Sequence, residues 1–349
     1  MKRFMSLLAL AVLLFVSVFT SFDTKALAAA KDKNVVVVID PGHGGVGGRN
    51  LGAVYNGRTE KDLTLSVANA MKTELEKYDN VTVYLTRTSD SIISLEERAE
   101  YAKSVNADFV FSIHFNASSE HNFYGSEVWT SAFNKYYQAG YDFGQIESKE
   151  LEAIGLYQKG VKTKIGKTGE DYYGIIRHCV ARGIPCDIIE HCYMDHAYDL
   201  QYLGKGDFYT TLGICDATAV AKYFNLKSSV NGNDFSNYAY TKVGRPKGVV
   251  HQDYTEPSEC RINVLSYDKE SRNALVEMTT YDKESPVIYF TYSYDGSNFY
   301  ILQMWDRTKE TQSFNVKIPA GMNSAKIICR AYNSYELFKQ SNEVDIATR

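Results

Sequence analysis

Asn34-Val35-Val36-Val37-Val38-Ile39-Asp40-Pro41-Gly42-His43-Gly44-Gly45 sets the architecture of the first two thirds of the chain. Val35 to Ile39 is an uninterrupted β-branched run, the mark of a strand covered on both faces. It leads into a glycine-rich turn that leaves His43 projecting from a compact loop. Downstream, Lys61 to Lys77 places Leu63, Val67, Ala70, Met71 and Leu75 on one helical stripe. Thr82 to Thr86 predicts a second strand. Ser94 and Glu97 form a capping box that opens a helix running to Ser104. Phe109 to Ile113 is a third buried strand, and Ile184 to Glu190, past Pro185, is another. This alternation predicts an α/β fold, a mostly parallel sheet covered by helices.

Beyond Leu226 the pattern changes. Residues 227–248 are rich in Ser, Asn and Gly without periodicity and read as a linker. Residues 249–349 carry short β-rich runs at Ile262–Ser266, Asn273–Thr280, Val287–Tyr294, Phe314–Ile318 and Ala325–Tyr332. Turns such as Asp295-Gly296 and Pro319-Ala320-Gly321 separate them. A smaller all-β sandwich of immunoglobulin or fibronectin III style is expected there. At the other end, Lys2 and Arg3 precede an apolar stretch from Met5 to Phe19 and small residues up to Ala30. That stretch is short for a membrane span, which needs roughly 20 residues. Residues 1–30 are therefore expected to be a cleaved secretory signal, leaving no stable membrane span and an extracellular, cell-wall-associated protein with residues 31–226 as its first domain.

Composition narrows the function. With 349 residues, 44% hydrophobic and 23% charged, whole-chain disorder is excluded. A formal charge of −4 argues against nucleic acid as a partner. Six Cys are too dilute for a disulfide-stapled miniprotein, although export permits pairing. Cys260 and Cys329 are candidates for a link across the β domain, and Cys179, Cys186, Cys192 and Cys215 allow three pairings in the first.

Active sites of open α/β sheets gather at the carboxyl ends of strands. The first strand ends at His43, the third at His114 and the late one at Glu190, while Glu60 stands at a helix start. Each has a plain structural explanation alone; an acid at Glu60, for instance, suits the helix dipole. The glycine-rich turn lacks the nucleotide-binding patterns, and the spacing fits neither a zinc finger nor H-E-x-x-H. In combination, two His and one Glu make a ligand set for catalytic zinc with a fourth position for water, and a second carboxylate is available as general base. A metallohydrolase follows.

The blocks VVVVIDPGHGG, TEKDLTLSVANAMKTELE, VYLTRTSDSIISLEERAEYAKSVNADFVFSIHFNAS and IIRHCVARGIPCDIIEHCYMDH, in this order over about residues 34–226, resemble the zinc-dependent N-acetylmuramoyl-L-alanine amidases. The resemblance implies one Zn2+ ion on His43, Glu60 and His114 and a catalytic Glu190. It implies a peptidoglycan substrate, cut between N-acetylmuramic acid and the L-alanine of the stem peptide. The chain departs from the family after Glu190, where His191-Cys192-Tyr193-Met194-Asp195-His196 replaces the usual Leu-Gly-Phe, a small residue and Ser-Asn. Strand alternation puts Cys186, Ile188, Glu190 and Cys192 on one face, with Cys192 near the metal, in packing or in a disulfide. His121, His178, His191 and His196 are spare candidates, His191 to orient substrate or stabilise an oxyanion. Arg87 and Arg98 read as loop ties, with a substrate carboxylate as the alternative for Arg87. The competing functions are a zinc peptidase or carboxypeptidase on the stem peptide and an inactive cell-surface binding protein. The β domain is expected to serve as a spacer or to bind wall or protein.

Overall fold

The computed structural model describes residues 33–348; the expected secretory signal, residues 1–30, lies outside them. The first unit opens with β1 (Val35–Pro41), a hairpin of β2 (Val54–Tyr55) and β3 (Arg58–Thr59), then α1 (Glu60–Leu75) and β4 (Val81–Leu85). It continues through α2 (Leu95–Ser104), β5 (Phe109–Asn116), β6 (Ser126–Trp129), α3 (Asn134–Ala153) and β7 (Gln158–Lys162). It closes with α4 (Gly174–Ala181), β8 (Cys186–Tyr193), α5 (Ala197–Leu203) and α6 (Phe208–Tyr223).

Six strands form one sheet in the order β4-β1-β5-β8-β6-β7. The first four are parallel; β6 runs antiparallel to β8 and β7 parallel to β6, so the last two reverse direction. The β1 run is apolar throughout because both faces are covered. Val37 and Ile39 pack under α1, α3 and α6, with Phe109, Phe111 and Phe143 in the same core. Val38 and Val110 face the other way, onto Ala99 and Ala102 of α2 and Ile175 and Cys179 of α4. The Ser94–Glu97 capping box opens α2 as the sequence predicts.

A β-rich region follows: β9 (Glu259–Asp268), β10 (Asn273–Tyr281), β11 (Val287–Ser293), β12 (Gln303–Met304), β13 (Thr311–Lys317), β14 (Ser324–Asn333), β15 (Phe338–Gln340) and β16 (Val344–Ala347). A β13-β10-β9 sheet faces a second sheet ordered β12-β11-β14-β15, with β16 also on β14. Ile262, Val276 and Val316 from one meet Phe290, Ile327 and Ala331 from the other around Trp305. All pairings are antiparallel.

Residues 227–258 have no helix or strand beyond a bridge pairing Lys227 with Asp234. They are docked on the first unit all the same. Phe235, Tyr238 and Tyr240 pack on its core, Gln138 donates to the Val243 carbonyl (2.8 Å) and Thr163 to that of Val250 (2.7 Å). The two units also meet directly. Tyr124 packs with Ile288, Tyr289 and Tyr332, and the hydroxyl of Tyr157 donates to the Ile288 carbonyl at 2.5 Å. Each of the six cysteines is a buried thiol. Among the described residues, no helix is long and apolar enough to cross a membrane.

Candidate metal centre

His43 leaves the end of β1 with φ 61°, a left-handed conformation uncommon for a residue with a Cβ. Two buried arginines hold the loop there. Arg98 donates to the carbonyls of Pro41 (2.7 Å) and His43 (2.5 Å) and pairs with Asp40 at 2.6 Å. Arg87 donates to the carbonyls of Pro41 (3.0 Å), Gly42 (2.8 Å) and Lys61 (2.8 Å). Both guanidiniums are consumed by the fold, so Arg87 has none to offer a substrate.

Glu60 is placed by the β2–β3 hairpin, whose Asn56-Gly57 turn has positive φ at both residues (48° and 74°) and returns the chain into α1. As first residue of α1, Glu60 aims inward. One carboxylate oxygen accepts the Ala53 N–H (2.8 Å), the other that of Phe115 (3.1 Å). His114 arrives from β5. Oε1 of Glu60 lies 3.1 Å from His43 Nε2 and 2.9 Å from His114 Nδ1, with the imidazole centroids 5.0 Å apart. Among the described residues these three form the group of His, Cys, Asp or Glu whose ligand atoms converge within 4.8 Å. Two glycines make room for it. A Cβ on Gly42 would sit 2.4 Å from His114 Cε1, and one on Gly52 would sit 2.4 Å from Glu60 Oε2.

The electrostatics match a cation site. Burial works to raise the Glu60 pKa, yet His114 and His43 outweigh it and hold the carboxylate far below its usual range. Burial works to lower that of His43, and Glu60 outweighs it, leaving it raised. Glu60 is buried while both imidazoles are partly open, so the cluster faces solvent on one side.

Glu190 stands opposite His114 in the β5–β8 register. Its Oε2 is buried without a hydrogen-bond partner. Burial pushes its pKa well above the ordinary value, with Glu60 and Glu127 pushing the same way and Lys159 opposing. It lines a cleft of about 530 Å³ that also takes in Asn116, Glu127, Lys162, Tyr193 and Tyr335.

Two expectations about β8 need correction. The register shifts after the His114–Glu190 pair, so that Asn116 next faces Tyr193: two residues of β8 oppose one of β5. This bulge reverses the alternation beyond Glu190. Cys192 therefore turns into the core under α1 and α6, away from the face of Cys186 and Ile188. His191 is fully buried as well. Its Nε2 meets Asp216 at 3.0 and 3.1 Å, and its Nδ1 donates to the His114 carbonyl at 3.1 Å. It braces the His114 strand and has no exposed surface. His196 caps α5, and His121 pairs with Asp195.

Sequence reasoning missed the ionic wall of the cleft. Glu127 on β6 pairs with Lys162 (2.6 Å) and Lys159 (3.0 Å) of β7, and Lys159 also pairs with Glu336 of the β-rich unit. The available signal was an acid and two lysines in short strands that bury them. Their convergence spans 35 residues in one case and 177 in the other, beyond any local pattern.

Comparison with known proteins is consistent with this geometry. A family model described as N-acetylmuramoyl-L-alanine amidase matches residues 37–222. The sporulation-specific N-acetylmuramoyl-L-alanine amidase of Bacillus subtilis is 32% identical over 198 residues, 56% of this chain and 70% of that protein. The amidase CwlM of Bacillus licheniformis is 31% identical over 202 residues, 56% and 71% of the two chains. Among solved structures, Cwp6 from Clostridium difficile superposes with a TM-score of 0.50 at 27% identity, covering 54% of this chain and 29% of that one. With the matched segment spanning more than half of its length, the chain belongs to the N-acetylmuramoyl-L-alanine amidase family.

Proposed function

We propose that this protein is a secreted, zinc-dependent peptidoglycan hydrolase that cuts the amide between the lactyl group of N-acetylmuramic acid and the L-alanine of the stem peptide. His43, Glu60 and His114 hold one zinc ion, and Glu190 is the general base. The observation that carries this reading is the convergence of two imidazole nitrogens and one carboxylate oxygen, open on one side, beside a buried carboxyl with no partner. Two His and one Glu are a donor set of catalytic zinc, and Gly42 and Gly52 leave space for no side chain but theirs. Zinc in such a site supplies Lewis acidity to the scissile carbonyl and acidifies water.

Glu190 handles the protons. As carboxylate it takes one from the attacking water at its unpartnered Oε2; the water oxygen bonds to the carbonyl carbon. As acid it gives that proton to the departing nitrogen, so the C–N bond breaks to a neutral amine. A carboxyl whose burial raises its affinity for a proton is suited to both halves of this exchange. The products are a lactyl carboxylic acid, which releases its remaining proton to solvent, and a peptide with a free N-terminal L-alanine.

The experiment is digestion of purified cell walls with and without a chelator, followed by identification of new ends. L-alanine N-termini that appear only without chelator are expected. Glu190→Gln should keep the zinc content of the wild type and lose cleavage by at least about a hundredfold. New ends at another stem residue, or cleavage surviving in Glu190→Gln, overturn the assignment.

A further inference from the structure

We propose that Lys164 binds a carboxylate of the stem peptide, making the cleft between β7 and the 333–337 turn of the β-rich unit the peptide side of the site. This rests on the amidase reading above.

The cleft runs from Glu190 outward. The first unit lines it with Trp129, Lys162 and Lys164, and the β-rich unit with Tyr335 and Glu336, borne by the turn between β14 and β15. That turn is pinned in place. Glu336 pairs with Lys159, whose side chain has no exposure, and accepts from the Tyr193 hydroxyl at 2.6 Å. The Tyr335 hydroxyl accepts the Thr163 N–H at 3.3 Å. The turn is thus a fixed part of the lining.

Most of the charged groups lining this space have partners. Glu127 answers Lys159 and Lys162, and Glu336 answers Lys159. Asp253 accepts from the hydroxyls of Ser285 and Thr255 and from the Asn333 amide. Among the cations, Lys164 is the exception. It is half-buried, its ammonium lies 4.1 Å from the Tyr172 ring centroid, and among the described residues no carboxylate reaches it. An ammonium in a concave site with no carboxylate of its own to pair with attracts an anionic ligand.

The two sides of the scissile amide differ in charge. The lactyl carboxyl of the muramyl group is consumed in the amide, so that side is neutral. The peptide side keeps free carboxylates, and the unmatched ammonium distinguishes the two.

The test uses the full-length zinc-loaded protein and two soluble muramyl peptides of one sequence. One has its peptide carboxyls free; the other has them converted to primary amides. Wild type should favour the free acid by about tenfold in kcat/KM, mostly through KM, the worth of one charge-assisted hydrogen bond. Lys164→Gln should erase that preference and Lys164→Arg should retain it. Equal turnover of the two by wild type, or a preference that survives Lys164→Gln, overturns the proposal. Failure of wild type to release an L-alanyl peptide from either substrate overturns the amidase reading instead, and this inference with it.

Discussion

Gly42 shows how closely one position can govern the site. Its φ is ordinary, so the demand is purely steric: a Cβ there would stand 2.4 Å from His114 Cε1 and 2.5 Å from Nε2. Gly42→Ala should therefore swing the imidazole away from Glu60. A tenfold or greater loss of zinc affinity is expected, about what removal of a ligand's support costs. Chelator competition measures it; an unchanged affinity would refute the steric argument. At this scale the sequence was readable where chemistry declared itself. His43 follows the end of β1, Glu60 opens α1 and His114 lies close to the end of β5, and their convergence follows from the strand-end geometry of a parallel sheet. The fate of Cys192 was not readable, because a bulge is decided by pairing with β5, and strict alternation is blind to it.

The clearest test among elements lies where α1 crosses α6. A Cβ on Gly213 would meet the Met71 backbone N at 2.5 Å and the Val67 carbonyl oxygen at 2.8 Å. In an exposed helix, Gly→Ala gains about 1 kcal/mol. Here the obstruction is backbone, and separating two packed helices costs about 3 kcal/mol. The clash prevails, so Gly213→Ala should lower stability by about 2 kcal/mol in a denaturant titration; a gain would show that the helices give way freely. Legibility at this scale follows the source of each element's stability. β1, α1, α2 and β5 carry their burial pattern in their own residues. The short β6 and β7 hold together through Glu127, Lys159 and Lys162, side chains that local patterns assign to the surface. The small strands β12, β15 and β16, of two to four residues, are set by pairing partners alone.

The whole molecule is joined through that same ionic wall. Lys159 stands between Glu127 of the first unit and Glu336 of the second, so both units share one buried cation. Burial works to raise the Glu127 pKa, but Lys159 and Lys162 outweigh it and bring it down to about 2. The sign of the linkage follows. A carboxyl whose pKa is lower folded than unfolded stabilises fully above the unfolded value near 4.5, and loses that contribution as pH falls through about 2. A depression of this size is worth about 3 kcal/mol, with more than half gone by pH ~3. The chain supplies its own reporters, since of its two tryptophans Trp129 lies in the first unit and Trp305 in the core of the second. Single-tryptophan variants, Trp305→Phe and Trp129→Phe, should melt in coincident transitions at pH 7 and drift apart toward pH 3. Adding Glu127→Gln leaves Lys159 with Glu336 and Lys162 with no carboxylate partner, and should cost about 3–5 kcal/mol at pH 7. It should also separate the two transitions there and flatten the dependence on pH between 4.5 and 2. Separate transitions at pH 7 in the Trp129-retaining variant with Glu127 in place, Trp129 read against a probe of the second unit, would mean that the units fold independently, and that the 333–337 turn is not held against the cleft by this contact.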